Sequence, residues 1–133
     1  MFRVTREIHF CYGHRLLDYD GKCKHLHGHN GRAVITVESA ELDKRGMVID
    51  FTDIKRVVSH WIDANLDHRM ILHRDDPARE ALAKLGEPMY LVDVNPTAEN
   101  IARLIFEYAQ SQGIPIVEVK LWETPNCFAT YGR

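Results

Sequence analysis

The chain has 133 residues, 45% hydrophobic and 27% charged, a composition typical of a single globular domain spanning residues 1–133. Its 17 basic and 19 acidic side chains leave a formal charge of −2, which argues against nucleic acid or anionic membranes as partners. No apolar run is long enough to cross a bilayer or to act as a signal peptide, and the three cysteines are an odd number. We therefore expect a cytoplasmic protein without a disulfide framework.

The first third of the chain predicts two paired strands. Residues 2–10 and 29–38 alternate apolar and polar side chains, as half-buried strands do. The loop between them, around residues 17–24, contains Gly and Asp. This arrangement favours an antiparallel pair, because such strands can be joined by a short connection.

The remaining segments alternate between helical and extended patterns. The predicted elements are a helix at 53–65 with Thr52 as N-cap, a short helix at 77–85, a short strand or extended segment at 89–94, a helix from its N-cap Thr97 to its C-cap Gly113, and strands at 116–123 and 127–131. The main elements, in the order ββααββ, predict an α+β domain whose antiparallel sheet carries two helices on one face. Its two free edges favour association of sheets into an oligomeric barrel or ring.

Histidine is the unusual residue, because five of the eight lie within residues 9–29. Side chains at i and i+2 of a strand point the same way, so His27 and His29 can reach one ion. His14 is the third candidate, since pairing of the first two strands brings it near. Three imidazoles with an open fourth position are typical of a catalytic zinc site. His25 has the same spacing, so the pattern alone leaves open which pair binds.

Two further groups could carry proton chemistry. Cys23 could be a fourth zinc ligand, a buried apolar side chain, or a nucleophile or base whose thiolate is favoured by Lys22 and Lys24. The adjacent Asp67 and His68 could form a carboxylate-oriented imidazole for proton transfer. A charged surface loop is the simpler interpretation of that pair.

Two more segments could bind a ligand. Glu123 ends an apolar strand and could hold a cyclic amidine-like edge through two charge-assisted hydrogen bonds, or it could be an exposed strand end. Thr97 and Glu99 are explained by the start of a helix. Substrate contact is the second interpretation of these two residues, which places them beside Glu123 as substrate-binding candidates.

Taken together, six ordered motifs resemble the 6-pyruvoyltetrahydropterin synthase / 6-carboxytetrahydropterin synthase family, nearly from end to end. These motifs are F-x-x-x-H ending at His14, C-x3-H-G-H from Cys23 to His29, G-M-V-I-D-F at 46–51, L-D-H at 66–68, P-T-A-E-N at 96–100 and W-E-T at 122–124. The resemblance implies one zinc ion per chain on His14, His27 and His29. It implies that Cys23 is the catalytic thiol, that Asp67 and His68 are its proton-transfer partners, and that Glu123 anchors a pterin ring.

The resemblance also implies an assembly and a reaction. The implied fold is the T-fold, or tunnelling fold, in which two trimers stack as a homohexamer. The C-x3-H-G-H spacing is similar to that of the bacterial branch of the family, whose members act in the queuosine and deazapurine pathway. Members of that branch are zinc-dependent lyases that convert 7,8-dihydroneopterin triphosphate to 6-carboxy-5,6,7,8-tetrahydropterin, acetaldehyde and triphosphate. The alternatives are the pyruvoyl synthase reaction, which only eliminates triphosphate, and a non-catalytic zinc-binding module.

Three features depart from the family pattern. His25 adds an imidazole inside the cysteine–histidine motif, and residues 74–92 form an enlarged loop before P-T-A-E-N. Cys11, Tyr12 and Gly13 replace the small residues that are common before the first ligand. These departures affect the expected contacts with the substrate more than the expected metal ligands.

Overall fold

A computed structural model describes residues 1–133 as six strands and three helices. In chain order these are strands β1 (Phe2–His14) and β2 (His27–Ser39), helix α1 (residues 51–65), strand β3 (Arg69–His73), helix α2 (Ala78–Lys84), strand β4 (Met89–Val92), helix α3 (Ala98–Ser111), and strands β5 (Ile116–Thr124) and β6 (Cys127–Gly132). A single 3-10 turn, Lys22–Lys24, lies in the loop after β1. No helix has the length and apolar character needed to span a membrane.

All six strands belong to one sheet in the order β4-β3-β1-β2-β5-β6. The predicted antiparallel pairing of β1 with β2 is confirmed, and β5 and β6 extend the antiparallel part. Strands β3 and β4 run parallel to β1 on its other side. The α+β class is therefore confirmed, but the sheet is mixed and has six strands where the pattern predicted four antiparallel ones. The strand β3 was missed because its apolar core is only Met70–Leu72, too short to show a period.

The core lies between one face of this sheet and helices α1 and α3. Alternate side chains of the central strands are buried there: Ile8, Phe10, Ile35, Val37, Val119 and Leu121. The helices contribute apolar stripes, Ile54, Val58 and Ile62 from α1 and Ile101, Ile105 and Ala109 from α3. The other face of the sheet carries polar and charged side chains, including the Arg3–Glu38 ion pair.

The helix starts are fixed by side-chain caps. Helix α1 begins two residues earlier than predicted, because the Asp50 carboxylate, not Thr52, is the cap and accepts from the Thr52 N–H at 2.9 Å. Its ends, Phe51–Ile54 and His60–Asn65, are α-helical, and Lys55–Ser59 between them is π-helical. Helix α3 begins as predicted, with the Thr97 hydroxyl accepting from the Asn100 N–H.

Candidate metal centre and substrate site

The register of β1 and β2 brings three histidines together at one end of the sheet. His14 is the direct cross-strand partner of His27, and Tyr12 is the partner of His29. Because alternate residues share a face, the three imidazoles lie side by side, with ring centroids 4.5–5.1 Å apart. One ligand atom from each lies within 4.8 Å of the others, so the group could hold a metal ion. His25 is exposed and lies outside the group.

Two of the rings are oriented by backbone carbonyls. The Nδ1 atom of His14 donates to the Pro96 carbonyl at 2.7 Å, and that of His27 donates to the His25 carbonyl at 2.7 Å. Both rings therefore leave Nε2 without a hydrogen, which is the tautomer that binds a metal. The His27 Nε2 atom is buried and has no hydrogen-bond partner. Burial lowers the pKa of His14 to about 4, so its ring is neutral at neutral pH. Three neutral imidazoles are a donor set that suits zinc.

Glu123 points into the same group. Its Oε2 atom lies 2.6 Å from the Nε2 atom of His29 and 3.6 Å from that of His14. Burial raises the pKa of the Glu123 carboxyl, and the neighbouring rings of His29 and His27 partly oppose that rise. The sequence marked Glu123 as a substrate anchor, and its closeness to the metal-binding atoms is a finding of the structure.

Thr97 and Glu99 lie nearby at the start of α3. The Thr97 oxygen accepts the Asn100 N–H at 3.2 Å, which leaves its own hydroxyl hydrogen free to bind a ligand. Glu99 is exposed, and its charge contributes to the raised pKa of Glu123. The structure therefore places Glu99 close enough to Glu123 to affect its pKa, whereas Thr97 serves as the cap of α3.

Asp67 and His68 form the expected carboxylate-oriented imidazole. Asp67 Oδ2 accepts from His68 Nδ1 at 2.8 Å, and Asp67 Oδ1 accepts from the Cys11 N–H at 2.9 Å. Burial alone would raise the pKa of Asp67, but the hydrogen bonds from Cys11 and His68 outweigh it and lower the pKa. His68 has a left-handed backbone (φ 57°), and its side chain is 78% exposed. Its free Nε2 atom is thus available to exchange a proton with a ligand.

His68 lines a cavity of about 540 Å³, which neither Asp67 nor Cys23 lines. Residues that line the cavity include Cys11, His27, His29, Asn30 and His68. Cys11 and Asn30 alternate along their strands with Tyr12 and His29, so their side chains point away from the imidazole group. Cys23 lies in the 3-10 turn, is partly exposed, and its thiol makes no hydrogen bond. Within one chain, Cys23 and the Asp67–His68 pair are therefore not joined in one site.

The segment that follows His14 is held in place by two sets of side-chain contacts that the sequence did not predict. The Asn95 amide makes two 2.8 Å hydrogen bonds to the backbone of Leu17, one to its N–H and one to its carbonyl. Arg15 makes a two-point ion pair with Asp76, whose carboxylate is fully buried. Arg15 holds the pKa of Asp76 below its usual value. Asp76 stands two residues before α2, and that capping position was the only sequence signal for it.

The mixed sheet and its two helices on one face define an α+β protein of the T-fold type, whose three-histidine group could hold a metal ion. Residues 3–133 match the family described as 6-pyruvoyl tetrahydropterin synthase, and the chain belongs to this family.

Curated relatives and solved structures agree with this assignment. The chain is 42% identical to the 6-carboxy-5,6,7,8-tetrahydropterin synthase of Rickettsia conorii, over 96% of this chain and 98% of that protein. It is 36% identical to the protein of the same name from Haemophilus influenzae, over 98% and 99% of the two chains. An uncharacterized protein from Wolinella succinogenes has a similar structure, with a TM-score of 0.84, 29% identity and coverage of 99% and 98%. The 6-pyruvoyl tetrahydropterin synthase of Caenorhabditis elegans gives a TM-score of 0.73, with 27% identity and coverage of 99% and 95%.

Proposed function

We propose that the protein is a zinc-dependent lyase that converts 7,8-dihydroneopterin triphosphate and water to 6-carboxy-5,6,7,8-tetrahydropterin, acetaldehyde and triphosphate. The observation that carries the proposal is the convergence of three imidazole nitrogens with the Glu123 carboxylate at one end of β1 and β2. The names of the relatives support this reaction over a non-catalytic role. The three unpaired cysteines fit a reducing cytoplasm.

His14, His27 and His29 would hold one zinc ion per chain. When bound, the ion supplies Lewis acidity that makes a C–H bond beside a coordinated substrate oxygen easier to ionise. The protein's own contribution is to fix the rings in advance, through the carbonyls of Pro96 and His25.

Glu123 would anchor the pterin ring. A carboxylate can accept two N–H groups from the aminopyrimidinone edge of a pterin, and such charge-assisted pairs fix orientation as well as affinity. Thr97 and Glu99 would complete the ring-binding site, since Thr97 keeps a free hydroxyl hydrogen and Glu99 lies close to Glu123. This arrangement holds the side chain of the substrate toward the histidines.

Cys23 would remove the proton, and His68, oriented by Asp67, would handle protons on the other side of the substrate. Because His68 lines a cavity that Cys23 does not line, we assign the Asp67–His68 pair of each site to a neighbouring copy of the chain. The unpaired edges of β4 and β6 offer the contacts for such an assembly. We propose a homohexamer built as a dimer of trimers.

Product identification tests the reaction directly. The zinc-loaded protein is incubated with 7,8-dihydroneopterin triphosphate, and the products are identified by mass spectrometry. We expect 6-carboxytetrahydropterin together with acetaldehyde. A pyruvoyl-tetrahydropterin product would replace the proposal with simple triphosphate elimination. No turnover by protein that carries zinc would favour the non-catalytic zinc-binding module.

A mixing experiment tests whether two chains share each site. Cys23→Ala and His68→Ala, purified separately, should each keep zinc and lose most turnover, because a positioned acid or base contributes about 10²- to 10⁴-fold. Assembled together, they should recover activity, since about a quarter of shared sites draw both intact residues from different chains. Mixed oligomers that stay inactive would show that one chain supplies both residues. Elution of the active wild-type protein as a monomer would refute the assembly.

A further inference from the structure

Tyr12 carries a buried polar atom that the proposed mechanism does not use. The residue is 3% exposed, and its hydroxyl has no hydrogen-bond partner. A buried hydroxyl without a partner is uncommon in folded proteins, because it has lost its hydrogen bonds to water. Such an atom beside a candidate active site calls for a ligand or a second arrangement of the neighbouring groups.

The ring of Tyr12 is held tightly in place under the histidines. It stacks on Phe10 with a centroid distance of 5.2 Å and meets the rings of His14 and His29 at 5.3 and 5.6 Å. Gly31 makes room for it, since a Cβ atom at that position would lie 2.9 Å from Tyr12 Cε1. The hydroxyl therefore has a fixed position rather than a choice of rotamers.

Glu123 and Tyr12 both lie against the ring of His29, whose centroid is 5.6 Å from that of Tyr12. The phenol O–H of Tyr12 is a hydrogen-bond donor, and it is free because it has no partner. In this structure Glu123 Oε2 lies 2.6 Å from His29 Nε2, which also lies 3.1 Å from His14 Nε2, and a carboxylate is stable at that distance only as a hydrogen-bond acceptor. That bond needs a hydrogen on Nε2, whereas a metal ion needs the lone pair of the same nitrogen. The two contacts exclude each other, so a metal ion on the histidines requires Glu123 to find another donor.

We propose that the Tyr12 hydroxyl is this donor: it holds the Glu123 carboxylate when the three histidines bind their metal ion. Tyr12 is then a positioning residue that acts through Glu123. The anchoring role of Glu123 rests on the proposed function, but the exchange of hydrogen-bond partners does not require any turnover. Metal binding and pterin binding become linked, because binding of the metal sets the position of the pterin anchor.

Zinc affinity tests the proposal without turnover. Tyr12→Phe keeps the ring and removes only the hydroxyl, so its packing is preserved. A hydrogen bond to a charged group that forms only when the metal is bound stabilises the metal-bound state. Its loss in Tyr12→Phe should weaken zinc binding about tenfold. The measurement is competition with a chromophoric chelator at one fixed pH. Tyr108→Phe is the matched control, because Tyr108 stacks on Trp61 in another part of the core; its zinc affinity should be unchanged.

A double-mutant cycle identifies the acceptor. In a Glu123→Leu background no carboxylate remains, and Tyr12→Phe should change zinc affinity less than about twofold. An effect of Tyr12→Phe that persists at full size in this background would overturn the proposal, as would an unchanged zinc affinity in the single variant. Binding of 7,8-dihydroneopterin, followed by fluorescence, should weaken in Tyr12→Phe only when zinc is present. If wild-type protein binds zinc but forms no pterin product, the proposed function fails while the zinc cycle still decides the role of Tyr12.

Discussion

The two ends of the β1–β2 ribbon share one hydrogen-bond ladder but bury opposite kinds of side chain. At the end away from the histidines, the apolar side chains of Ile8, Ile35 and Val37 are buried. At the other end, His14 and Tyr12 are equally buried, yet Tyr12 has an unpartnered hydroxyl and His14 a strongly lowered pKa. The first end stabilises the fold, and the second keeps polar groups ready for a ligand. The regular backbone can therefore carry polar groups that lack hydrogen-bond partners, because the apolar part of the same sheet keeps the fold stable.

The largest expected effect is loss of the metal at the polar end. His27→Ala removes a ligand whose Nε2 atom is already buried and unpartnered, so we expect zinc content to fall close to zero and turnover to be abolished. His25→Ala is the control, because His25 contributes only its backbone carbonyl, and it should keep about one zinc per chain. Metal analysis of the purified variants gives both numbers. Loss of zinc in His25→Ala would mean that the ligands are assigned wrongly.

The same kind of truncation at the apolar end should affect stability instead. Ile35→Ala leaves a cavity in a fully buried position, and we expect it to lower the free energy of unfolding by about 2–5 kcal/mol. Chemical denaturation of the folded oligomer at one protein concentration measures the change. In the fraction that stays folded, zinc content should match wild type. A variant with normal stability but no zinc would contradict the division of roles between the two ends.

Asp76 extends the comparison to the segment that leaves the polar end. Asp76→Asn removes a buried partner of Arg15, so we expect a loss of about 2–3 kcal/mol at neutral pH. The folded pKa of Asp76 is below its unfolded value near 3.8, so its contribution is complete above that pH and is lost as the pH falls through the folded pKa. Asp93→Asn is the control, because its pair with Arg74 is exposed, and it should change stability by less than about 0.5 kcal/mol. Denaturation midpoints between neutral and acidic pH distinguish the two variants.

The smallest expected effect concerns the fit between Gly31 and Tyr12. Gly31→Ala places a methyl group against the Tyr12 ring and should destabilise the protein by about 1–2 kcal/mol. Combined with Tyr12→Ala, the same substitution should cost less, because the ring that it strikes is gone. Thermal unfolding of the two single variants and the double variant measures this coupling. If the stability losses of the two substitutions simply add in the double variant, the contact with Phe10, not that with Tyr12, limits the size of the side chain at position 31.

The parts of the fold that the sequence predicted are those with a local signal. β1, β2 and β5 alternate over nine or more residues, and α3 has both a stripe and a cap. β3 and β4 have five and four residues and pair in parallel with distant segments, so no local pattern identifies their sheet positions.

The same distinction holds for the site. The His27 and His29 pair follows from strand geometry, and the Thr97 cap follows from its place before a helical stripe. The closeness of Glu123 to the imidazoles depends on how β5 pairs with β2, which side-chain spacing does not specify. The Pro96 carbonyl that orients His14 is a backbone atom and carries no signature in the residue type.

The contacts that orient the first ligand also set the order in which the site can form. His14 and its Pro96 partner are 82 residues apart in the chain, and Leu17 and Asn95 are 78 apart. Loops of this length close late in folding, because their chain entropy is lost before their contacts are gained. During synthesis, His14 emerges long before Pro96, so the early β1–β2 hairpin can present its histidines but cannot fix the ring of His14. Metal loading in the correct geometry therefore follows docking of the segment before α3, late in the maturation of the chain.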